Sequence, residues 1–137
     1  MKRGLQVMGS ILIFAVLLGM AYVRVSPIDP DKWHQPVTAT ENADLAGGAV
    51  RVLTGDADTL AALDREARRL KRTRVLAGSV AQGHISYVTR SAVFGFPDIT
   101  TIYLQDGQIR MFARLRFGQS DLGVNRQRLE HLIATLQ

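Results

Sequence analysis

A chain of 137 residues, with 17 Lys and Arg against 12 Asp and Glu, a net charge of +5 and 47% apolar residues, has room for one domain with a core and not for two. It holds no cysteine, which excludes disulfides, thiol nucleophiles and thiolate metal sites. The basic balance invites a nucleic-acid reading, but no recognition motif accompanies it.

The first element is apolar. After Lys2 and Arg3, no charge falls until Arg24. Residues 4–23 therefore offer roughly 20 uncharged positions, the length a helix needs to cross a bilayer. The alternative is a cleaved secretory signal. Such a signal has a shorter apolar core and a small-x-small cleavage site, and Ala21-Tyr22-Val23-Arg24 is a poor one. Residues 1–24 are thus expected as an uncleaved single-pass anchor, with Tyr22 at an interface. The amino terminus, Lys2 and Arg3 set against Arg24 and Lys32 favour the N-terminus inside. That puts the remaining chain outside the cytoplasm. A domain so placed seldom meets nucleic acid, so none is expected as a partner.

Residues 25–48 read as an extended tether, interrupted by Pro27, Pro30 and Pro36. Trp33 has two roles open to it there, resting at the membrane surface or covering an apolar patch of the domain. The domain is expected over 49–137. Val50, Val52 and Leu53 suggest a strand, and Asp56 or Asp58 a helix cap. Leu60, Leu63, Ala67 and Leu70 share one helical face. Arg65, Arg68, Arg69, Lys71, Arg72 and Arg74 cover the other face and the helix end, either as a solvated surface or as one drawn to anionic lipid.

Four strands follow, over 75–81, 84–91, 99–105 and 108–117. Gln82-Gly83 makes one turn, and Asp106-Gly107 carries a strong type I′ hairpin signal. Phe94-Gly95-Phe96-Pro97 reads as an irregular corner between the pairs. A last helix spans about 123–136, with Leu129, Leu132, Ile133 and Leu136 as its buried stripe. The order β-α-β-β-β-β-α after a transmembrane helix predicts an α+β fold, an antiparallel sheet packed on two helices in a helix-grip-like arrangement.

A two-residue turn at Asp106-Gly107 sets Leu104 against Ile109, Tyr103 against Arg110, Ile102 against Met111, Thr101 against Phe112 and Ile99 against Arg114. Alternation then assigns Ile109, Met111, Ala113, Leu115 and Phe117 to the core face. Tyr103, Arg110, Thr101, Phe112, Ile99, Arg114 and Arg116 fall on the other. That second face is either a solvated surface with arginines over aromatics or a site for an anionic or amphipathic ligand. Arginine suits such a ligand because its planar fork pairs with carboxylate or phosphate. Arg90, Tyr103, Phe112, Arg114, Arg116 and Arg126 are the candidate ligand residues. In the corner Ser120-Asp121-Leu122-Gly123-Val124-Asn125-Arg126, Ser120, Asp121 or Asn125 can cap the last helix. Asp121 can also pair with Arg116 or Arg126. The same corner is alternatively a polar site.

Val75-Leu76-Ala77-Gly78-Ser79, Tyr87-Val88-Thr89-Arg90-Ser91, Gly95-Phe96-Pro97-Asp98 and the run Arg116 to Arg128 resemble the bacterial domain-of-unknown-function 1499 family. The likeness covers most of residues 25–137, and the S-D-x-G-x-N-R run is its most specific part. Ser26-Pro27-Ile28-Asp29-Pro30 with Trp33-His34 resembles its short, membrane-anchored proteobacterial members. The resemblance implies a small domain, often tethered or secreted, without an established activity and with no catalytic residues to transfer. It directs attention to Arg90, Asp98, Arg116, Asp121, Asn125 and Arg126; Asp98, Ser120, Asp121, Gly123 and Asn125 are expected as a structural corner.

No metal or cofactor is expected. His34, His84 and His131 lack ligand spacing, no Gly-rich phosphate loop is present, and Ser91 and Ser120 sit outside any nucleophile elbow. The expected function is a membrane-anchored extracytoplasmic binding module for an anionic or amphipathic, lipid-like ligand. The alternative is a structural or interaction protein of the cell envelope, and an enzyme is the least favoured class.

Overall fold

The computed structural model describes residues 1–137. Helix α1 (Lys2–Val25) leads, with Arg24 in its last turn. It is long and apolar enough to cross a membrane by length and composition, and almost none of its surface is covered by the domain. A single helical turn α2 (Pro30–Trp33) is capped by Asp29, which accepts from the Asp31 backbone N–H.

Strands β1 (Ala43–Leu45) and β2 (Gly48–Thr54) form a tight pair. Helix α3 (Ala57–Arg69) opens on a reciprocal cap: Asp56 accepts from the Thr59 backbone, and the Thr59 hydroxyl accepts from the Asp56 backbone. Then come β3 (Thr73–Ser79), β4 (His84–Arg90), β5 (Pro97–Gln105), β6 (Gln108–Leu115) and helix α4 (Val124–Ala134). The six strands form one antiparallel sheet in the order β1-β2-β6-β5-β4-β3. The architecture is α+β, as expected, with β1 as an added edge strand.

The hairpin register is the one the Asp106-Gly107 turn implies: Leu104 faces Ile109, Ile102 faces Met111 and Ile99 faces Arg114. Both turn residues have positive φ, 53° and 72°, as a type I′ turn requires. One sheet face, carrying Ile85, Tyr87, Ile102, Ile109, Met111 and Ala113, packs against Leu60, Leu63 and Ala67 of α3 and Leu129 and Leu132 of α4. This is the main core. One polar group enters it with its partners: the Tyr87 hydroxyl donates to Asp64 at 2.7 Å, and Arg68 holds the same carboxylate at 2.9 Å. Burial, together with the Asp64 bond, raises the Tyr87 phenol well above its ordinary range.

The segment 25–48, expected as an extended tether, folds onto the other sheet face. Its apolar side chains have somewhere to go. Ile28 is buried with Val88 and Ile99, Trp33 and Leu76 pack beside them, and Val37 is buried further along. Asn42 then accepts from the Val52 backbone, and β1 joins the sheet. The prolines stop a helix without stopping this strap from packing.

Candidate functional site

The strap decides which of the expected ligand residues are accessible. Tyr103, Phe112 and Arg114 lie on the face it covers. Thr101 is buried there, and its hydroxyl is 2.7 Å from that of Ser86, which in turn lies 2.8 Å from Nδ1 of His34. The His34 ring stacks on His84 with centroids 3.7 Å apart, and His84 meets Tyr103 edge-on. The guanidinium of Arg114 is held between Trp33, at 4.6 Å, and Phe112, at 5.0 Å. Burial lowers its pKa. This face is neither a solvated surface nor an open ligand platform. It is a second, mixed core.

Arg90 and Arg116 work at the end of the sheet nearest α1. Arg90 donates to the carbonyls of Gly95 at 2.9 Å and Val23 at 3.3 Å. Arg116 donates to the Ser26 carbonyl and hydroxyl, both at 3.1 Å, and its guanidinium lies 4.8 Å from the Phe117 ring. Cations suit this position because the last carbonyls of a helix carry partial negative charge. Arg24 closes the set by donating to Val93 O at 2.9 Å. Burial first, and then the Arg74, Arg116 and Arg24 charges, lower the pKa of Arg90. Three arginines, Arg24, Arg90 and Arg116, are thus concentrated where α1 meets the domain. Arg126 stands apart, exposed and 3.7 Å from Asp44.

Beside this cluster a cleft of about 550 Å³ opens between β4, β5, the end of β6 and the start of α4. Arg72, Arg90 and Arg128 supply its charge and Phe96, Leu115, Phe117 and Val124 its apolar wall, with Asp98 and Asp121 among the remaining lining residues. Arg72 and Arg90 continue outward into an adjoining depression of about 450 Å³ shared with Arg24 and free of carboxylates. The expected corner forms one side of the cleft. Asp121 accepts from the backbone N–H groups of Gly123, at 2.9 Å, and Asn125, at 3.0 Å, so it is the cap of α4 from two residues ahead. Gly123, at φ 81°, adopts the left-handed conformation that lets the chain turn back over this carboxylate. Ser120 accepts from Leu122. Asn125 is buried and accepts from Arg128, which also reaches Asp98 at 3.4 Å. The pairing of Asp121 with Arg116 or Arg126 is replaced by these backbone bonds.

The two carboxyls are pushed in opposite directions. Burial raises Asp98, helped by the Asp121 charge and opposed by Arg128 and Asn125. Burial also acts to raise Asp121, but the Gly123 and Asn125 donors outweigh it and hold the group below its ordinary value. Both Asp121 oxygens are occupied by backbone donors, Asp98 by an arginine, and Ser91 by the Phe96 N–H it accepts.

The family model described as "Protein of unknown function (DUF1499)" matches residues 22–136. The chain belongs to the DUF1499 family. That match begins inside α1 and takes in the strap, so the family unit includes the segment that covers the second sheet face. No curated protein matches this DUF1499 chain. Among solved structures it is similar to a DUF4468 family protein from Bacteroides ovatus, at 14% identity over 69% of this chain and 68% of that one, with a TM-score of 0.32. At that score the likeness carries no argument.

Of the residues lining the cleft, Arg90, Asp98, Ser120 and Asp121 were singled out from the sequence, while Arg72, Phe96 and Arg128 were among those that were not. Arg72 stood only in a helix-end cluster. Its φ of 55° turns it back over β4, where its Nε donates to the Arg90 carbonyl at 2.9 Å, and no periodicity signals that.

Proposed function

We propose that this DUF1499 protein is a single-pass membrane protein of the bacterial inner membrane whose periplasmic domain binds an anionic, amphipathic, lipid-like ligand. One observation carries the reading. The cleft sets Arg72 and Arg90 against an apolar wall, with Arg128 paired to Asp98, and it sits where Arg90 grips the last turn of the apolar helix. An anionic head group would meet Arg72, Arg90 and Arg24, whose forked donors suit phosphate or carboxylate. Its apolar part would lie on Phe96, Leu115 and Phe117. Mass spectrometry of lipids extracted with the detergent-purified protein tests this. An anionic species enriched over the bulk membrane is expected, and a lipid profile identical to the bulk membrane would count against it. A reporter active only in the periplasm, fused after Gln137, tests the orientation. Activity is expected, and a silent reporter reverses the placement.

A second reading, an architectural or interaction protein of the envelope, has one specific observation in its favour. Arg90 and Arg116 spend donors on backbone carbonyls of residues 23, 26 and 95. It predicts no enriched lipid and a chemical crosslink to a partner protein.

A further inference from the structure

We infer that the loop between β4 and β5 is a second membrane contact, seated in the lipid interface beside α1. The inference rests on α1 spanning the bilayer. Three observations converge on it. First, Val93, Phe94 and Phe96 are 66%, 48% and 42% exposed, three large apolar side chains within four residues. Second, they are not at an arbitrary place. Phe94 and Phe96 line one apolar depression with Val16, Gly19, Met20 and Val23 of α1. The uncharged stretch 4–23 measures about 30 Å along a helix, the thickness of the hydrocarbon core. The two rings therefore lie level with its outer third and not above it. Third, the loop is fixed there. Arg24 donates to the Val93 carbonyl at 2.9 Å, Ser91 accepts from Phe96 N, and Arg90 holds the Gly95 carbonyl. Gly95, at φ 72°, adopts the left-handed conformation that favours glycine and lets the loop turn against the Arg24 side chain.

The surroundings match the bilayer in layers. Tyr22 and Phe117 meet edge-on at 6.4 Å, adding two more aromatics where an interfacial belt belongs. Arg24, Arg72 and Arg90 stand around the adjoining depression, at the height of the phosphates. The opposite end of the sheet, at the Gln82-Gly83 and Asp106-Gly107 turns, exposes no large apolar side chain. The occupant that fits an apolar tip beneath an arginine ring is an anionic bilayer. The domain is then held at two points, α1 and the loop, and the cleft opens at the head-group plane, where an amphipathic ligand enters without crossing water.

Because the chain has no cysteine, a spin label at one introduced cysteine reports only that site. The full chain is reconstituted in vesicles of three parts phosphatidylcholine to one part phosphatidylglycerol. Val93→Cys and Phe94→Cys are compared with Leu12→Cys in mid-helix and Gln82→Cys at the far turn. Collision with oxygen, which concentrates in lipid, is measured against collision with a water-soluble nickel chelate. The expected result is oxygen-favoured collision at 93 and 94, in the sense seen at 12, and nickel-favoured collision at 82. Nickel access at 93 and 94 equal to that at 82, with 12 still lipid-exposed, overturns the inference and leaves the anchor standing. Nickel access at 12 overturns the anchor reading and this inference with it. Labels at 93 and 94 shielded from both reagents mark a protein partner or a second copy on the loop, and also overturn it.

Discussion

The two faces of the sheet are built on different principles. Against α3 and α4 the face is apolar, and Ile102, Ile109, Met111, Leu129 and Leu132 are wholly buried. Against the strap it is mixed, with Ile28 and Val88 beside a histidine stack, a hydroxyl pair and an arginine between two rings. The first face is held by area removed from water, which needs no specific partner. The second is held by particular pairs, and those that join strap to sheet, such as His34 with Ser86 and Trp33 with Arg114, link residues about fifty or more positions apart. That difference explains why the first was the easier to foresee and predicts that the two will fail differently.

The largest effect is expected at the helix-covered face. Leu132→Ala removes a fully buried side chain and should cost about 2–5 kcal/mol in denaturant unfolding. Trp33→Ala on the strap should cost less, about 1–3 kcal/mol, because the indole is only partly buried. It should also speed proteolysis within residues 26–42. An equal loss at both positions would remove the distinction drawn here.

At the helix corner, Asp121→Ala deletes the acceptor for two backbone donors and should cost about 1 kcal/mol in the same measurement. The histidine stack gives the strap a pH dependence on the acid side of neutrality. Burial lowers the pKa of His34. Burial, and then the His34 charge, lower that of His84. A depressed histidine pKa means that the unfolded chain binds protons first. The stability is therefore present above the ordinary histidine value of about 6.5 and is lost as pH falls through the folded value. A thermal melt series from pH 8 to 5 should show this fall, and the double variant His34→Gln/His84→Gln should flatten it. The smallest effect belongs to the exposed pair Arg126 and Asp44, 3.7 Å apart, where Arg126→Ala should change stability by less than about 0.5 kcal/mol.

What was legible in the sequence follows the same division. The register of β5 on β6 came from one dipeptide, Asp106-Gly107, because a two-residue turn leaves a single pairing. The stripe Leu129, Leu132 and the run Leu60, Leu63, Ala67 came from helical spacing. The strap was not legible. Ile28, Trp33 and Val37 follow no period, and three prolines made the segment look unattached. Strand β1 has three residues with aspartate at its centre, too short for alternation to show.

The functional corner divides likewise. Ser120, Asp121 and Asn125 were recognisable as cap candidates from residue type alone, and Asp121 is the one that accepts at the start of α4. Which carboxylate acceptor the arginines would choose was not recognisable. Arg116 and Arg126 were the alternative partners offered for Asp121; Arg116 instead bonds Ser26, ninety positions away, while Arg128 takes Asp98. Arginine partners are set by where distant backbone carbonyls fall, which local pattern does not encode. The cleft itself joins residues from 72 to 128 and becomes visible only when β4, β5, β6 and α4 are assembled.

The central claim is that the ligand surface has moved from the strap-covered sheet face to the arginine cleft beside α1. Native mass spectrometry of the full chain released from bilayer discs containing phosphatidylglycerol tests it most directly, with Arg72→Gln and Arg114→Gln compared with the unaltered protein. The account predicts bound anionic lipid on the unaltered protein and on Arg114→Gln, and its loss on Arg72→Gln. Lipid retained by Arg72→Gln and lost from Arg114→Gln would contradict it.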